Sequence, residues 1–211
     1  MALHLPHRRR PQLRAVATRA RVLAVAKDLF SRNGYEATSV QDVATAASVA
    51  VGTVYHHFSD KRAILLDLVG AWGDRALTER RSEVAYQTFF GDDPRAAVHR
   101  WLRGSYDRLR KEPSLYLVIL SLAGRDEEVR ERYHRIEQVA IERLCALIEF
   151  GQAQGLARAN IDAGAASFLI HHAIDMAATQ LLVRPTTGSD PDRVLAALGD
   201  MICRYVLEDA K

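Results

Sequence analysis

The sequence predicts an all-α protein, and three observations carry that prediction. Apolar residues recur at three- and four-residue spacing, and no run alternates with the period of two that a half-buried strand requires. Helix punctuation recurs along the chain. Asp93-Pro94 and Asp190-Pro191 each put a capping carboxylate before a first-turn proline, and Asn33-Gly34 and Gly155 supply left-handed stops. Finally, 48% of the 211 residues are hydrophobic, enough for a full core and too many for a disordered chain.

Residues 1–11 read as a flexible basic lead. A first helix is expected over 12–32, with Val22, Val25, Ala26 and Leu29 as its inward stripe and Phe30 extending it. Two short helices should then occupy 38–58. Thr38 and Gln41 fit the T-x-x-Q capping box, and Val40, Val43, Ala44 and Ala47 give the first of them an apolar face. Ser48, Val49 and Ala50 form the turn. The second helix, 51–58, buries Val54 and Phe58 and leaves Thr53, Tyr55, His56 and His57 outside. A helix of two turns is not stable alone. Its outward face carries donors and aromatic rings but no carboxylate, and a major groove is about wide enough to admit it.

A fourth helix should start at a Ser59 cap and run to about residue 80, with Ile64, Leu65, Leu68 and Trp72 on its apolar side. Further helices are expected from Asp93-Pro94 (Val98, Leu102, Tyr106, Leu109), over 115–122, from Asp126 to about 154, from Asp162 to about 184, and from Asp190-Pro191 onward. The predicted organisation is a helix-turn-helix domain at 12–58 and a larger helical domain at 59–211, whose first helix, 59–80, connects the two without a Gly-, Pro- or Ser-rich tether.

The run Val-Gly-Thr-Val-Tyr-His-His-Phe at 51–58, followed by Ser-Asp-Lys-Arg and Ile64-Leu65-Leu66, resembles the DNA-binding domain of the TetR family of transcriptional regulators. The resemblance covers roughly residues 14–69. Two positions depart from the family pattern: Ser48 stands where glycine is usual, and Ala50 where serine is usual. Ser48 must take whatever backbone angle the turn demands, and Ala50 removes a hydroxyl cap. The resemblance implies DNA contacts from Thr53, Tyr55 and His56, with Gln41 and Lys61 toward the backbone. Thr38 and Val51 complete the candidate set. Tyr55 suits phosphate and sugar, while Val51 and His56 are short enough to meet base edges.

The same resemblance implies a homodimeric regulator, a repressor more than an activator, released from a palindromic double-stranded operator by an unknown small molecule. Candidate effector-binding residues are Trp72, Trp101, Tyr106, Tyr116 and Tyr133 with His134, His171 and Asp175. The helix opened by Asp162 is apolar on two sides and so must be buried on both, and the last helix has a similarly broad apolar face. Ile170, Ala173, Ala177, Leu181, Leu195, Leu198 and Ile202 are the expected dimer contacts, in a four-helix interface.

Charge and chemistry narrow the alternatives. The net charge of +3 is modest, but Arg8, Arg9, Arg10, Arg14, Arg19 and Arg21 all precede the first carboxylate, Asp28. Cys145 and Cys203 sit in apolar helical patterns with no C-x-x-C spacing and read as reduced thiols. The apolar run 168–183 is broken by His171, His172 and Asp175, so no membrane partner is expected and the location should be cytoplasmic. Neither H-E-x-x-H, G-x-S-x-G nor a phosphate-cradling Gly loop occurs, so no catalytic residue and no cofactor is assigned. His171 and Asp175, four apart, could share a metal with His134 or His99. A hydrogen-bonded pair inside the bundle is the simpler reading, and no metal is assigned. The alternatives are a regulator controlled by a protein partner and a helical ligand- or metal-binding enzyme that retains a helix-turn-helix.

Overall fold

The computed structural model describes residues 9–77, 83–91, 93–111, 113–183 and 190–208. They form α1 (Arg9–Asn33), α2 (Val40–Ala46), α3 (Val51–His57), α4 (Lys61–Leu77), α5 (Glu83–Phe90), α6 (Pro94–Lys111), α7 (Pro113–Ala123), α8 (Glu127–Ala153), α9 (Ala163–Val183) and α10 (Pro191–Val206). Among the described residues there is no strand, only one isolated bridge between Ala157 and Leu207. Residues 1–8 of the expected 1–11 lead and the expected helix ends near 80 and 184 lie outside the described residues; residues 9–11, expected in the lead, instead belong to α1. Helix α5 was not expected: it is two turns long, too short for its spacing to stand out. The chain divides into two compact units, Met1–Trp72 with Val118–Arg132, and Gly73–Leu117 with Tyr133–Lys211.

In the first unit α1 packs on α2 and α3, and α2 on α3. Val22, Ala26 and Phe30 of α1 are fully buried, as are Val43 and Ala44 of α2. Gly34 ends α1 at φ 85°, its N–H bonded to the Phe30 carbonyl at 3.1 Å. The cap of α2 then falls one residue later than expected. Thr38 is buried and its hydroxyl donates to the Gly34 carbonyl at 2.8 Å. The capping box is instead Ser39 with Asp42. The Ser39 Oγ accepts from the Asp42 N–H at 3.1 Å, and the Asp42 carboxylate accepts from the Ser39 N–H at 2.9 Å. The end of α1 claims the Thr38 hydroxyl, so the next residue does the capping. Similarly, Asp60 and not Ser59 caps α4, its carboxylate accepting from the Ala63 N–H at 2.7 Å. A carboxylate is the better acceptor at the positive end of a helix.

The start of α4 is bound to the α7–α8 junction by charge. The Arg62 guanidinium grips Asp126 at 2.6 and 2.8 Å and reaches Glu128 at 2.6 Å. Arg132 returns from α8 to the Leu66 carbonyl and to Glu128, both at 3.1 Å. The Arg62 bonds hold the Asp126 carboxyl well below its usual range. These groups are partly exposed, so the network acts through its shared geometry more than through any single pair.

In the second unit α10 packs on α6 and α9, α5 on α6, and α6 on α9. Phe90, Leu102, Ile148, Ile170, Ile202 and Cys203 belong to one core, and Tyr106, Ala178, Leu181 and Leu195 to a second. Asp93, Asp162 and Asp190 cap α6, α9 and α10 as expected, accepting backbone N–H groups at 2.9, 2.7 and 3.0 Å. Gly199 lets α10 lie against α6, since a Cβ there would stand 2.5 Å from the His99 ring.

The dimer expectation is corrected by these cores. Ile170, Leu181, Leu195 and Ile202 are all under 10% exposed and lie inside this chain's own cores, and Leu198 packs against the first of them. Periodicity identified residues that share an arc of α9 but assigned the wrong arc to the outside. On α9 and α10 the large exposed apolar side chains are Phe168, Leu169 and Met176 with Met201 and Tyr205. Ala173 is exposed among them and Ala177 is half-buried.

Candidate nucleic-acid interface and the polar seam of the second unit

The turn before α3 does what its residues allow. Ser48 adopts φ 54°, the left-handed angle that the turn demands of it. Ala50 stands at the N-cap with no side-chain hydrogen bond, and the first turn closes through the Thr53 N–H to the Ala50 carbonyl at 2.8 Å. Val54 and Phe58 anchor the helix, at 1% and 4% exposure. Tyr55 and His56 are exposed, and Val51, Thr53 and His57 are half-buried. The His56 and His57 rings meet edge-on at 5.2 Å. Helix α3 carries no carboxylate, so nothing on it repels a phosphate.

The surroundings refine the candidate set. Thr38 is 2% exposed and bonded inward, so it cannot reach a duplex, and exposed Ser39 holds the surface position beside it. Gln41 is exposed, its amide 3.5 Å from the Thr45 hydroxyl. Lys61 has a role that spacing does not reveal. Its ammonium donates to the carbonyls of Tyr35 at 2.8 Å and Glu36 at 3.3 Å and sits 4.3 Å from the centre of the Tyr35 ring. It therefore ties the head of α4 to the link between α1 and α2. Arg19 of α1 covers the Phe58 ring at 5.0 Å and pairs with Asp67 of α4. Arg19, one of the arginines of the basic N-terminal end, therefore has an internal role.

A polar seam runs through the second unit. Tyr116 and Tyr133 are 1% and 7% exposed, and both hydroxyls donate to Asp175, Tyr133 at 3.5 Å. Thr179 lies 3.1 Å from the Tyr116 oxygen. Burial raises both phenol pKa values above their ordinary range, so both remain donors. Asp175 is thus engaged by tyrosines and not by His171, as the helical spacing had suggested. His171 lies beside His172, ring centres 5.3 Å apart, and near Glu137 of α8. Burial lowers its pKa, leaving a neutral imidazole at pH 7. His134 is exposed, with Nδ1 2.8 Å from the Glu137 carboxylate. Of the other effector candidates, Trp101 and Tyr106 lie in the two apolar cores, and Trp72 belongs to the first unit.

Residues 22–68 match the family model described as bacterial regulatory proteins, tetR family. The HTH-type transcriptional regulator UidR of Escherichia coli (strain K12) is 33% identical over 73 residues, which make up 35% of this chain and 37% of UidR. The match thus spans little more than a third of that relative. The HTH-type transcriptional repressor KstR2 of Rhodococcus jostii (strain RHA1) is 28% identical over 152 residues, 68% of this chain and 70% of KstR2. Among solved structures, SmeT, the repressor of the Stenotrophomonas maltophilia multidrug efflux pump SmeDEF, shares the fold at a TM-score of 0.71 and 18% identity over 91% of each chain. The matched segment begins at Val22, buried in α1, and ends at Leu68 of α4, so it encloses α3 and its anchors Val54 and Phe58. On these grounds residues 22–68 are similar to the tetR family of bacterial regulatory proteins, and the chain shares the fold of the SmeT repressor.

Proposed function

We propose that this protein is a ligand-responsive repressor that binds a palindromic operator as a homodimer. The observation that carries the reading is α3: a two-turn helix anchored by Val54 and Phe58 that presents Tyr55 and His56 to solvent and carries no carboxylate of its own. Such a face fits a major groove, with Tyr55 on phosphate and sugar, His56 and Val51 toward base edges, and Thr53 and Gln41 flanking. KstR2 and SmeT are both named as repressors, and SmeT has also been solved with triclosan, which supports both the sign and the class of effector.

Exposed Leu169, Met176, Met201 and Tyr205 make a second copy the natural cover for α9 and α10. The seam of Tyr116, Tyr133, Thr179 and Asp175 offers fixed polar groups inside an apolar bundle, the pattern that orients a small molecule. No described helix is long and apolar enough to cross a membrane. The test is selection of bound duplexes from a random pool, followed by titration against salt. A palindromic winner with a steep salt slope is expected, and Tyr55→Ala should weaken binding to every duplex whereas His56→Ala should change the preferred sequence. Failure to enrich any duplex at low salt would sink the reading.

A further inference from the structure

Three side chains of α8 and α9 meet, with a fourth hydrogen-bonded at their edge, in a way that neither the DNA face nor the tyrosine seam uses. Helix α8 supplies His134 and Glu137, one turn apart, and α9 supplies His171 and His172. One ligand atom from each of Glu137, His171 and His172 lies within 4.8 Å of the others. The Glu137 side chain is only 13% exposed, and an imidazole nitrogen, Nδ1 of His134, bonds it at 2.8 Å. The Nε2 of His171 is buried without a hydrogen-bond partner. An unsatisfied buried nitrogen costs about 1–3 kcal/mol, so it calls for a ligand. The Phe168 ring meets His172 edge-on at 4.3 Å and restrains its orientation. Asp175 does not compete for the site, being held by Tyr116 and Tyr133 one turn along.

We propose that Glu137, His171 and His172, with His134 as a fourth donor, bind a divalent first-row transition ion of the zinc class. The donor set decides the class. Imidazoles with one carboxylate suit zinc, cobalt, nickel or copper, whereas magnesium and calcium require oxygen donors. Bonds of ~2.0–2.2 Å would draw the donors to roughly 3.5 Å from one another, so the side chains must close by about an ångström from their present spacing. That movement lies within side-chain rotation. A bound ion would fasten α8 to α9 through both partners of the cluster. The proposal does not depend on the DNA-binding reading and is tested without DNA.

The experiment uses the full chain, freed of affinity tag and stripped by chelator. Zinc is titrated against a chromophoric competing chelator, and cobalt is added in parallel to record its visible spectrum. The expected result is one equivalent of zinc per chain, a raised melting temperature on binding, and the intense cobalt bands of four-coordination. Glu137→Gln and His171→Ala should weaken zinc binding by about a hundredfold or more, beyond the ~10–100-fold typical of an outer-shell partner. His99→Ala, which alters a histidine paired with Asp200 elsewhere on the bundle, should leave it unchanged. Circular dichroism establishes that each variant is folded. If His171→Ala is not, His172→Ala, a half-exposed position, replaces it with the same expectation. The proposal is overturned if the wild-type chain binds no stoichiometric zinc, or if folded Glu137→Gln binds it as tightly as wild type.

Discussion

Helices α3 and α9 distribute their side chains differently. On α3, Val54 and Phe58 point in, and Tyr55 and His56 point out. On α9 two arcs reverse that habit. Leu169 and Met176 are exposed at 59% and 61%, while Asp175 faces buried tyrosines and His171 buries its Nε2. A helix that meets only its own core and a polar partner obeys simple amphipathic patterning. One that serves a core, a polar seam and a further surface does not. Under the proposed function, the difference suits α3 to reading something polar and α9 to joining two copies.

The largest expected effect breaks the joint. Met176→Glu should yield a soluble, folded monomer in sedimentation, because the charge lands on the exposed arc and not in the core. The buried Leu181, changed to Glu, should unfold the chain instead. A dimeric Met176→Glu protein would place the interface on another face.

Next comes the seam. Tyr116→Ala should cost about 3–5 kcal/mol in denaturant unfolding, the usual cost of emptying a fully buried aromatic site. Tyr116→Phe, which keeps the packing and removes one donor to Asp175, should cost about 1–3 kcal/mol. A neutral Tyr116→Phe would mean that the seam is packed and not bonded.

A smaller effect distinguishes the two capping arrangements. Ser39→Ala should cost about 1 kcal/mol, whereas Gln41→Ala should change stability by less than about 0.5 kcal/mol. Equal losses would restore the box that begins at Thr38. The smallest effect belongs to α3 itself. Tyr55→Ala should leave stability within about 0.5 kcal/mol while weakening operator binding, which would separate a contact residue from a structural one.

These cases show what the sequence carries. Local chemistry was readable: the Asp93, Asp126, Asp162 and Asp190 caps, the Gly34 and Gly155 stops, and the anchors Val54 and Phe58 all follow from spacing within one or two turns. Cap placement slipped by one residue where two capping types stood together, at Thr38-Ser39 and Ser59-Asp60. What spacing cannot hold is which arc of an all-round apolar helix looks inward, so Ile170 and Leu181 were assigned to the wrong side. Nor can it hold pairings across the chain. Lys61 with the Tyr35 carbonyl, Tyr116 with Asp175, and Glu137 with the His171–His172 pair join residues far apart in sequence, and no period links them.

The left-handed Ser48 gives the turn between α2 and α3 an unusual mutational signature. The residue is exposed, and its backbone angle of 54° is open to Gly and tolerable for Asn or Asp, but strained for Val, Ile or Thr. A saturation scan scored on promoter output would therefore find a solvent-facing position that rejects β-branched residues while accepting a change of polarity. That substitution profile is the fingerprint of a constrained turn backbone. It would set Ser48 apart from Tyr55 and His56, whose tolerance should follow side-chain chemistry instead.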